Sequence, residues 1–228
     1  MNETPLISLC DVSCLRVEED VETSVWIAAL SVERGSVTVL AGEARSGKNL
    51  LLRLLGLLER PEAGEIEFEG LPTAQMTDDA RASLRSRRCG YVFAAPFLLP
   101  SFTVLENIAM PVFKTCQLTA EEARDRTEEV LEFTGLQEVA TKYDVPVSLQ
   151  YRASLARALA SQPAVIFVEN LDAVIAQDAA GGIGELLHSA AQQYGVAVVA
   201  SVPTDGVRLP GERRIEIAAG RLTQEVAP

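Results

Sequence analysis

The sequence predicts an α/β fold in which a mostly parallel β-sheet is covered by helices on both faces. Three short apolar runs predict the core strands, at 37–41, 164–168 and 196–202. Their apolar residues are continuous rather than alternating, which is typical of strands that are buried on both faces. Helix-like segments bound each run, as expected of a chain that alternates strands and helices. The 228 residues, 48% of them hydrophobic, provide enough apolar material for a large core.

Four segments carry the patterns of helices. Leucine occupies seven of the nine positions from 50 to 58, which predicts a buried helix after the first core strand. Thr119 and Glu122 have the spacing of a capping box, and Gly135 predicts the end of the helix that they begin. Gly195 predicts the end of the last helix. The predicted helices are 50–58, 119–133, 148–161 and 178–194.

The start of the chain predicts antiparallel strands. Apolar residues spaced from Ile7 to Ile27, together with the stretch 65–68, predict an N-terminal antiparallel β subdomain. Trp26, the only tryptophan, is expected to pack in the sheet or the core. No linker, repeat or low-complexity tract divides the chain, so we expect a single domain over 1–228 with a helical subdomain at about 95–160.

The net charge of −12 argues against two classes of binding partner, nucleic acids and anionic membrane surfaces. Phosphate backbones demand positively charged faces, so binding to nucleic acid is not expected. An anionic membrane surface would not hold this chain by charge, and the sequence has no apolar run of about 18 residues, the length that predicts a transmembrane helix. The N-terminus lacks the basic and apolar regions of a secretory signal. We therefore expect a cytoplasmic protein without direct membrane insertion.

The four cysteines indicate a reducing compartment, because they show no disulfide-dense or C-x-x-C pattern. Cys10 and Cys14 lie four residues apart on a predicted strand. We expect both to be small core residues rather than metal ligands, since the chain has a single histidine to assist them. The other two cysteines are Cys89 and Cys116.

A phosphate-binding loop is the main functional motif. Residues 42–49 read G-E-A-R-S-G-K-N between the first core strand and the leucine-rich helix, in the frame G-x-x-x-x-G-K-[S/T]. In such a loop, backbone amides at a helix N-terminus and a lysine charge hold phosphates. Gly42, Gly47 and Lys48 are present, whereas Asn49 replaces the hydroxyl that would hold Mg²⁺. The motif therefore predicts the fold more strongly than the chemistry.

From about residue 6 to 222, the sequence resembles the ATP-binding subunits of ABC transporters. The stretch S-F-T-V-L-E-N-I-A-M-P at 101–111 carries much of the resemblance, and A-R-A-L at 156–159 and Q-P at 162–163 also match. The sequence is most similar to the group that serves lipoprotein-release and macrolide-export permeases and a cell-division relative. The resemblance implies a P-loop NTPase (ABC ATPase) fold with an N-terminal antiparallel β subdomain and a helical subdomain.

The phosphate-binding loop departs from the family's pattern G-x-x-G-x-G-K-S-T. Arg45 replaces the second glycine, and Asn49 and Leu50 replace the final Ser-Thr pair. The aromatic residue that stacks on adenine in the family falls at Leu15 or Arg16. The resemblance thus implies a vestigial nucleotide site made of Gly42, Arg45, Ser46, Gly47, Lys48, Asn49 and Leu50.

The family's other catalytic positions are replaced as well. The glutamine that senses the γ-phosphate falls at Ala94, the D-loop aspartate at Ala176 and the switch histidine at Pro203. The Asp-Glu pair at the strand end reads Glu169-Asn170, and an asparagine cannot take a proton from water. The signature L-S-G-G-[E/Q] reads Val145, Pro146, Val147, Ser148 and Leu149, in which the proline removes a backbone amide.

These replacements predict a pseudo-ATPase. Phosphoryl transfer depends on positioning and charge stabilisation, so the effects of several missing parts multiply. No catalytic residue, metal site or cofactor is therefore expected, and any binding of ATP with Mg²⁺ is expected to be weak. We expect Lys48 to be solvated or paired with Glu169 or another acid, although it could still attract a phosphate. Arg45 is expected to plug the old site, and Glu169 and Asn170 to cap a strand end through hydrogen bonds.

A proline-punctuated apolar stretch over 96–102 predicts a docking surface. In the family, this region lines the groove that receives a short cytoplasmic helix of the membrane subunit. Local packing in the core is the alternative interpretation. The expected docking residues are Pro96, Phe97, Leu98, Leu99 and Phe102.

The leading hypothesis is a degenerate, non-hydrolysing ATP-binding subunit that docks beneath a permease at the inner face of the cell membrane. In the family, each ATP lies between the phosphate loop of one subunit and the signature of the other. Because this chain departs from the pattern in both, we expect a homodimer or a heteromer that needs no full ATP sandwich. Two alternatives are a residual ATPase in which Lys48 and Glu169 suffice, and a soluble scaffold or regulator without nucleotide.

Overall fold

Two β-sheets and the helices that cover them make up the part of the chain that the computed structural model describes, residues 4–18, 21–115, 118–178 and 182–226. The strands are β1 (Ile7–Glu18), β2 (Val21–Val32), β3 (Val37–Ala41), β4 (Ala63–Phe68), β5 (Leu71–Pro72), β6 (Cys89–Val92), β7 (Val165–Val168), β8 (Ala197–Val202), β9 (Glu212–Ala218) and β10 (Arg221–Val226). The helices are α1 (Lys48–Leu55), α2 (Asp78–Arg88), α3 (Val104–Thr115), α4 (Ala120–Thr134), α5 (Val147–Ala160), α6 (Leu171–Gln177) and α7 (Ile183–Tyr194).

The larger sheet has the strand order β10-β9-β3-β8-β7-β6. Every neighbouring pair is parallel except β9 and β10. All residues of β3, β7 and β8 are buried. These three strands correspond to the three apolar runs, so the structure confirms the mostly parallel core sheet that continuous apolarity predicts.

The smaller sheet is antiparallel, with the order β2-β1-β4-β5, as the start of the sequence predicts. A bulge at Asp11 (φ 49°) shifts the register between β1 and β4. Because of this bulge, Cys14 is buried whereas Cys10 is exposed, so the expectation that both lie in the core is wrong for Cys10. Cys116 lies outside the described residues.

The helix patterns predict α4 most accurately. Thr119 and Glu122 form the expected capping box, and Gly135 ends the helix in the left-handed conformation (φ 68°). The predicted helix 178–194 instead begins at Ile183, whose backbone amide donates to Asp178 Oδ2 (2.9 Å). Residues 179–181 of that prediction lie outside the described part of the chain.

The core sheet separates two apolar clusters. Residues of β3 alternate between them, with Val39 on the side of α3–α7 and Leu40 on the side of α1 and the antiparallel sheet. Trp26 belongs to neither cluster, contrary to a core role, because 58% of its surface is exposed. Its ring packs under the Arg221 guanidinium, 4.8 Å from the ring centroid, as part of the sheet surface.

Candidate functional site

The motif loop, residues 42–47, connects the carboxyl end of β3 to the start of α1. Because β3 lies between β8 and β9, the loop emerges near the middle of the parallel sheet. Ligands of open α/β sheets bind at this carboxyl edge. The loop is fixed by a hydrogen bond from the Gly42 amide to Val202 O (3.2 Å) and by one from the Gly220 amide to Ser46 O (2.8 Å).

Two glycines of the loop are required by its backbone. A Cβ on Gly42 would lie 2.4 Å from Ile217 O, so no side chain fits there. Gly47 has φ 96° and precedes the first residue of α1. Arg45 also has a positive φ, 64°, which is unfavourable for a residue with a side chain. The loop therefore keeps the shape that glycine would adopt at position 45, although arginine occupies it.

The Lys48 side chain folds back onto its own loop. Its Nζ donates to Gly42 O (2.7 Å) and to Glu43 O (3.1 Å). Burial lowers the pKa of Lys48, and the negative charges of Glu43 and Asp172 oppose that shift. No ion pair joins Lys48 to a carboxylate within the described residues. Of the expected alternatives for Lys48, pairing with Glu169 or another acid is therefore wrong.

A cavity of about 470 Å³ opens beside the loop. Arg45 lines the cavity without filling it, so the expectation that this side chain plugs the site is wrong. The sequence-predicted positions 45–50, Asn170 and Pro203 surround this one space. The complete lining is Arg16, Thr23, Ala44, Arg45, Ser46, Gly47, Lys48, Asn49, Leu50, Arg53, Asn170 and Pro203.

The charge of the cavity is positive. Arg16, Arg45, Lys48 and Arg53 line it, and no Asp or Glu of the described chain does so. Glu59 pairs with Arg16 (2.8 Å) and with Arg53 (2.9 Å), so these two charges are partly neutralised. Arg45 is exposed and has no carboxylate partner among the described residues. Arg45 and Lys48 are therefore the positive charges of the cavity that are least compensated by ion pairs.

Two cavity residues were missed by reasoning from the sequence. Arg53 is the only charged residue from 49 to 58, and a charge within a leucine-rich helix was the signal that could have identified it. Thr23 lies on β2, where the local sequence carries no signal of a site. Of the two positions matched to the family's aromatic residue, Arg16 lines the cavity and Leu15 does not.

The residues present fit a phosphate chain better than they fit Mg²⁺. In loops of this type a Ser or Thr hydroxyl binds the metal, and Asn49 stands at that position. Mg²⁺ is usually held by one or two carboxylates in addition to phosphate oxygens, and the described residues place no carboxylate in the lining. Arg45 and Lys48, by contrast, provide positive charge for an anion.

The end of β7 contributes Asn170 to the cavity, whereas Glu169 does not line it. The Asn170 amide donates to Ser201 Oγ (3.0 Å), and the Glu169 amide donates to Val92 O (2.9 Å). Asn170 precedes α6 with φ 55°, and its side chain makes no cap bond to that helix. The expected hydrogen bonds at the strand end are present, and the backbone amides of Glu169 and Asn170 make them.

The remaining family positions lie away from the cavity. The signature positions 145–149 run into the start of α5, where Pro146 precedes the first helical residue and Val147 is 44% exposed. Ala94 follows β6, and its carbonyl accepts a hydrogen bond from the Tyr151 hydroxyl. Neither this segment nor Ala94 lines the cavity.

The loop 96–103 is held from beneath by two polar side chains. The buried Asn107 accepts from the Leu99 amide (2.8 Å) and donates to Leu99 O, Phe102 O and Thr103 O at 3.0–3.2 Å. Arg157 donates to Phe97 O (2.8 Å) and to Pro96 O (3.0 Å), and burial lowers its pKa. The loop therefore has a defined shape.

The apolar side chains of this loop point mostly outward. The exposed fractions are 66% for Phe97, 41% for Leu99 and 40% for Phe102, whereas Leu98 packs against the core. A shallow groove of about 370 Å³ continues from Phe102 along α3 to Phe113, which is 64% exposed. Core packing thus accounts for Leu98 and leaves the other three side chains available at the surface.

Comparison with known proteins identifies the family. A family model described as ABC transporter matches residues 27–171. The lipoprotein-releasing system ATP-binding protein LolD of Bordetella pertussis is 32% identical over 198 residues, which cover 85% of this chain and 84% of LolD. LolD of Bordetella parapertussis has the same identity and coverage.

Solved structures have the same fold. The ATP-binding cassette MJ0796, in a dimeric post-hydrolysis state bound to ADP and Pi, is 26% identical, with a TM-score of 0.81 over 97% of this chain and 98% of that one. Within the described residues, no helix is both long and apolar enough to cross a membrane. The family match, the similarity to LolD and the shared cassette fold lead to one conclusion: this chain belongs to the ABC transporter family and is a nucleotide-binding domain of the LolD type.

Proposed function

We propose that this chain is a non-hydrolysing ATP-binding subunit that docks on a membrane permease and supplies a coupling surface rather than catalysis. The observation that carries the proposal is the lining of the cavity beside the phosphate loop. Asn170 and Pro203 face it at the positions of the family's catalytic glutamate and switch histidine, and no carboxylate of the described residues joins them. Within the described part of the chain, the cavity therefore lacks a side chain that could take a proton from an attacking water.

The expected loss in the rate of ATP hydrolysis follows from the mechanism of phosphoryl transfer. The reaction is accelerated mainly by positioned charges and metal ions, so each lost group weakens stabilisation of the transition state. Removal of one stabilising donor typically lowers the rate by about 10²- to 10³-fold. The loss of a base and a metal hydroxyl together therefore predicts turnover below detection, with ATP and Mg²⁺ bound weakly at most.

Phosphate release from ATP with Mg²⁺ tests this part of the proposal. We expect the purified chain to release no phosphate above the rate of buffer alone, and Lys48→Ala to release the same amount. Arg87→Ala, an exposed arginine outside the cavity, is the control for loss of one positive charge. Mg²⁺-dependent release that disappears in Lys48→Ala would establish a residual ATPase and overturn the proposal.

The loop 96–103 supports the docking part of the proposal. Exposed apolar side chains in a preformed loop bind a partner at a low cost in conformational entropy. Asn107 and Arg157 supply that preformed shape, and Phe97, Leu99 and Phe102 supply the apolar contact. LolD, to which the chain is similar, is named as part of a lipoprotein-releasing system. We propose a permease of the lipoprotein-release or macrolide-export kind as the partner.

Site-specific photo-crosslinking in intact cells tests the docking surface. A photoreactive residue at Phe113 should cross-link to an integral membrane protein encoded beside this chain. Tyr143 is the matched control, because both side chains are 64% exposed and Tyr143 lies outside the groove. An equal yield from both positions, or no membrane protein at Phe113, would contradict docking and favour a soluble scaffold.

The assembly and location of the chain follow the same scheme. The chain acts as a single nucleotide-binding domain over 1–228, at the inner face of the cell membrane and attached through the permease. It pairs with a second copy or with another ATP-binding subunit. MJ0796, a cassette of the same fold, has been solved as a dimer, which supports pairing. The altered signature at 145–149 argues that the pair does not close around ATP in the family's manner.

A further inference from the structure

We infer that the cavity beside the phosphate loop binds a phosphate chain as a free anion, without Mg²⁺ and with little contribution from a nucleotide base. The inference rests on the proposed loss of hydrolysis, because a hydrolysing site would require the metal. It adds the class of ligand, which is a polyphosphate carried by a nucleotide or present as an inorganic anion. The shared chemistry is three or more closely spaced negative charges.

The sign of the local charge points to an anion. The whole chain carries −12, yet the described residues contribute only positive side chains to the charged lining of the cavity. Glu59 engages Arg16 and Arg53, whereas Arg45 has no ionic partner in the described chain. A cleft lined by one sign of charge concentrates ligands of the opposite sign.

Hydrogen-bond donors are available at the loop. Ser46 lines the cavity, but its Oγ is buried beside Gly42 and is not one of these donors. Within the described residues, Lys48 Nζ donates to two backbone carbonyls, which a phosphate oxygen can replace. Arg45 lines the cavity from the point of the loop where the family has glycine, and so adds a guanidinium to the residues around the expected phosphate site. Guanidinium groups bind phosphate by two parallel hydrogen bonds.

The same lining disfavours the metal. Arg45 and Lys48 repel a divalent cation, and no carboxylate of the described residues faces the cavity to attract one. Mg²⁺ bound to a phosphate chain also neutralises the charges that the two side chains recognise. Added Mg²⁺ should therefore compete with the protein for the ligand rather than assist binding.

Among the residues that the structure describes, the cavity lining contains no aromatic side chain on which a base could stack. Arg16, at one of the two positions matched to the family's aromatic residue, is held by Glu59 and by the carbonyls of Leu15 and Arg60. Stacking on an aromatic ring typically strengthens binding of a base by about tenfold or more. Without it, inorganic tripolyphosphate should bind nearly as tightly as ATP.

Calorimetric titration of the full chain with ATP and with sodium tripolyphosphate, each in EDTA and in excess Mg²⁺, tests the inference. We expect both anions to bind in EDTA with Kd values within about fivefold of each other, and Mg²⁺ to weaken both. Arg45→Gly should weaken binding by about tenfold, the usual effect of losing a charged hydrogen bond. Arg87→Ala should leave the Kd unchanged.

Arg45→Gly is expected to fold, because φ 64° at this position suits glycine. Arg45→Asn, which also tolerates this conformation, is the second variant, and thermal melting confirms that each is folded. Binding that requires Mg²⁺, the absence of binding in EDTA, or an unchanged Kd in both Arg45 variants would overturn the inference. ATP binding that is tighter in Mg²⁺ than in EDTA, without phosphate release, would overturn the inference and leave the proposed function intact. Mg²⁺-dependent phosphate release would overturn the proposed function.

Discussion

Arg214 is 1% exposed, and its guanidinium forms hydrogen bonds to several carbonyls of the loop that follows β8. It donates to Glu212 Oε1 (3.0 Å) and to Thr204 O (2.9 Å), with longer bonds to Pro203 O, Gly206 O and Val207 O. Pro203 lies on this loop and lines the cavity, so a buried arginine on β9 positions one wall of the candidate site.

Replacement of this arginine should destabilise the protein strongly. Arg214→Met leaves the buried Glu212 carboxylate without its closest cation, and breaking a buried pair in this way costs about 3–5 kcal/mol. Urea unfolding followed by circular dichroism measures the loss. Arg208→Ala removes a second arginine from the same carboxylate, at 3.5 Å, but its side chain is 66% exposed. The loss there should stay within about 0.5 kcal/mol, and equal losses in the two variants would refute this assignment.

At the residue scale, the sequence predicts which residues lie in the loop but not all of their contacts. The motif places 45–50 in one loop, and these residues do line one cavity. The partner of Lys48 could not be derived, because the carbonyls of Gly42 and Glu43 come into reach only when the loop folds. Arg16 is brought to the cavity by strand pairing between β1 and β2, which no local pattern of the sequence specifies.

At the scale of elements, local chemistry predicts α4 almost completely. Thr119 Oγ1 accepts from the Glu122 amide (3.2 Å), and Glu122 Oε2 accepts from the Thr119 amide (2.7 Å). The hydrogen bond from the Thr119 backbone lowers the pKa of the Glu122 carboxyl below its ordinary value. The start of this helix therefore depends on pH.

A carboxylate whose pKa is lower in the folded than in the unfolded state adds stability above the unfolded pKa, and that stability disappears as the pH falls through the folded pKa. Glu122→Ala should therefore destabilise the protein near neutral pH, and the difference from wild type should shrink below about pH 4. Urea titrations across this range measure the difference. Glu121→Ala is the control, since Glu121 lies in the same first turn and is not part of the capping box. A pH-independent difference would show that the box is not the cause.

Other elements depend on tertiary structure. The continuous runs of apolar residues predict β3, β7 and β8, because a strand that is buried on both faces needs apolar side chains at every position. The sequence did not predict helix α6, because it has only seven residues, about two turns, and is separated from β7 by two residues. The bulge at Asp11 was also not predicted, because an aspartate can adopt a positive φ at many positions and its presence alone does not indicate one.

At the scale of the whole molecule, charge opposes attachment to an anionic bilayer. The chain carries −12, and like-charged surfaces repel. The purified chain alone should remain at the bottom of a density gradient with vesicles of phosphatidylglycerol and phosphatidylethanolamine, as judged by immunoblotting of the fractions. Vesicles containing the permease should carry it to the top. Flotation with lipid alone would contradict attachment through a partner.

The anchoring of the loop 96–103 has a consequence for how this molecule can change over time. Its anchors, Asn107 on α3 and Arg157 on α5, do not line the cavity beside the phosphate loop. Substitutions of the cavity residues therefore remove none of the hydrogen bonds by which Asn107 and Arg157 hold this loop. In an ATP-binding cassette organised in this way, residues of the nucleotide site can be replaced one by one while the contacts that hold the docking surface stay in place.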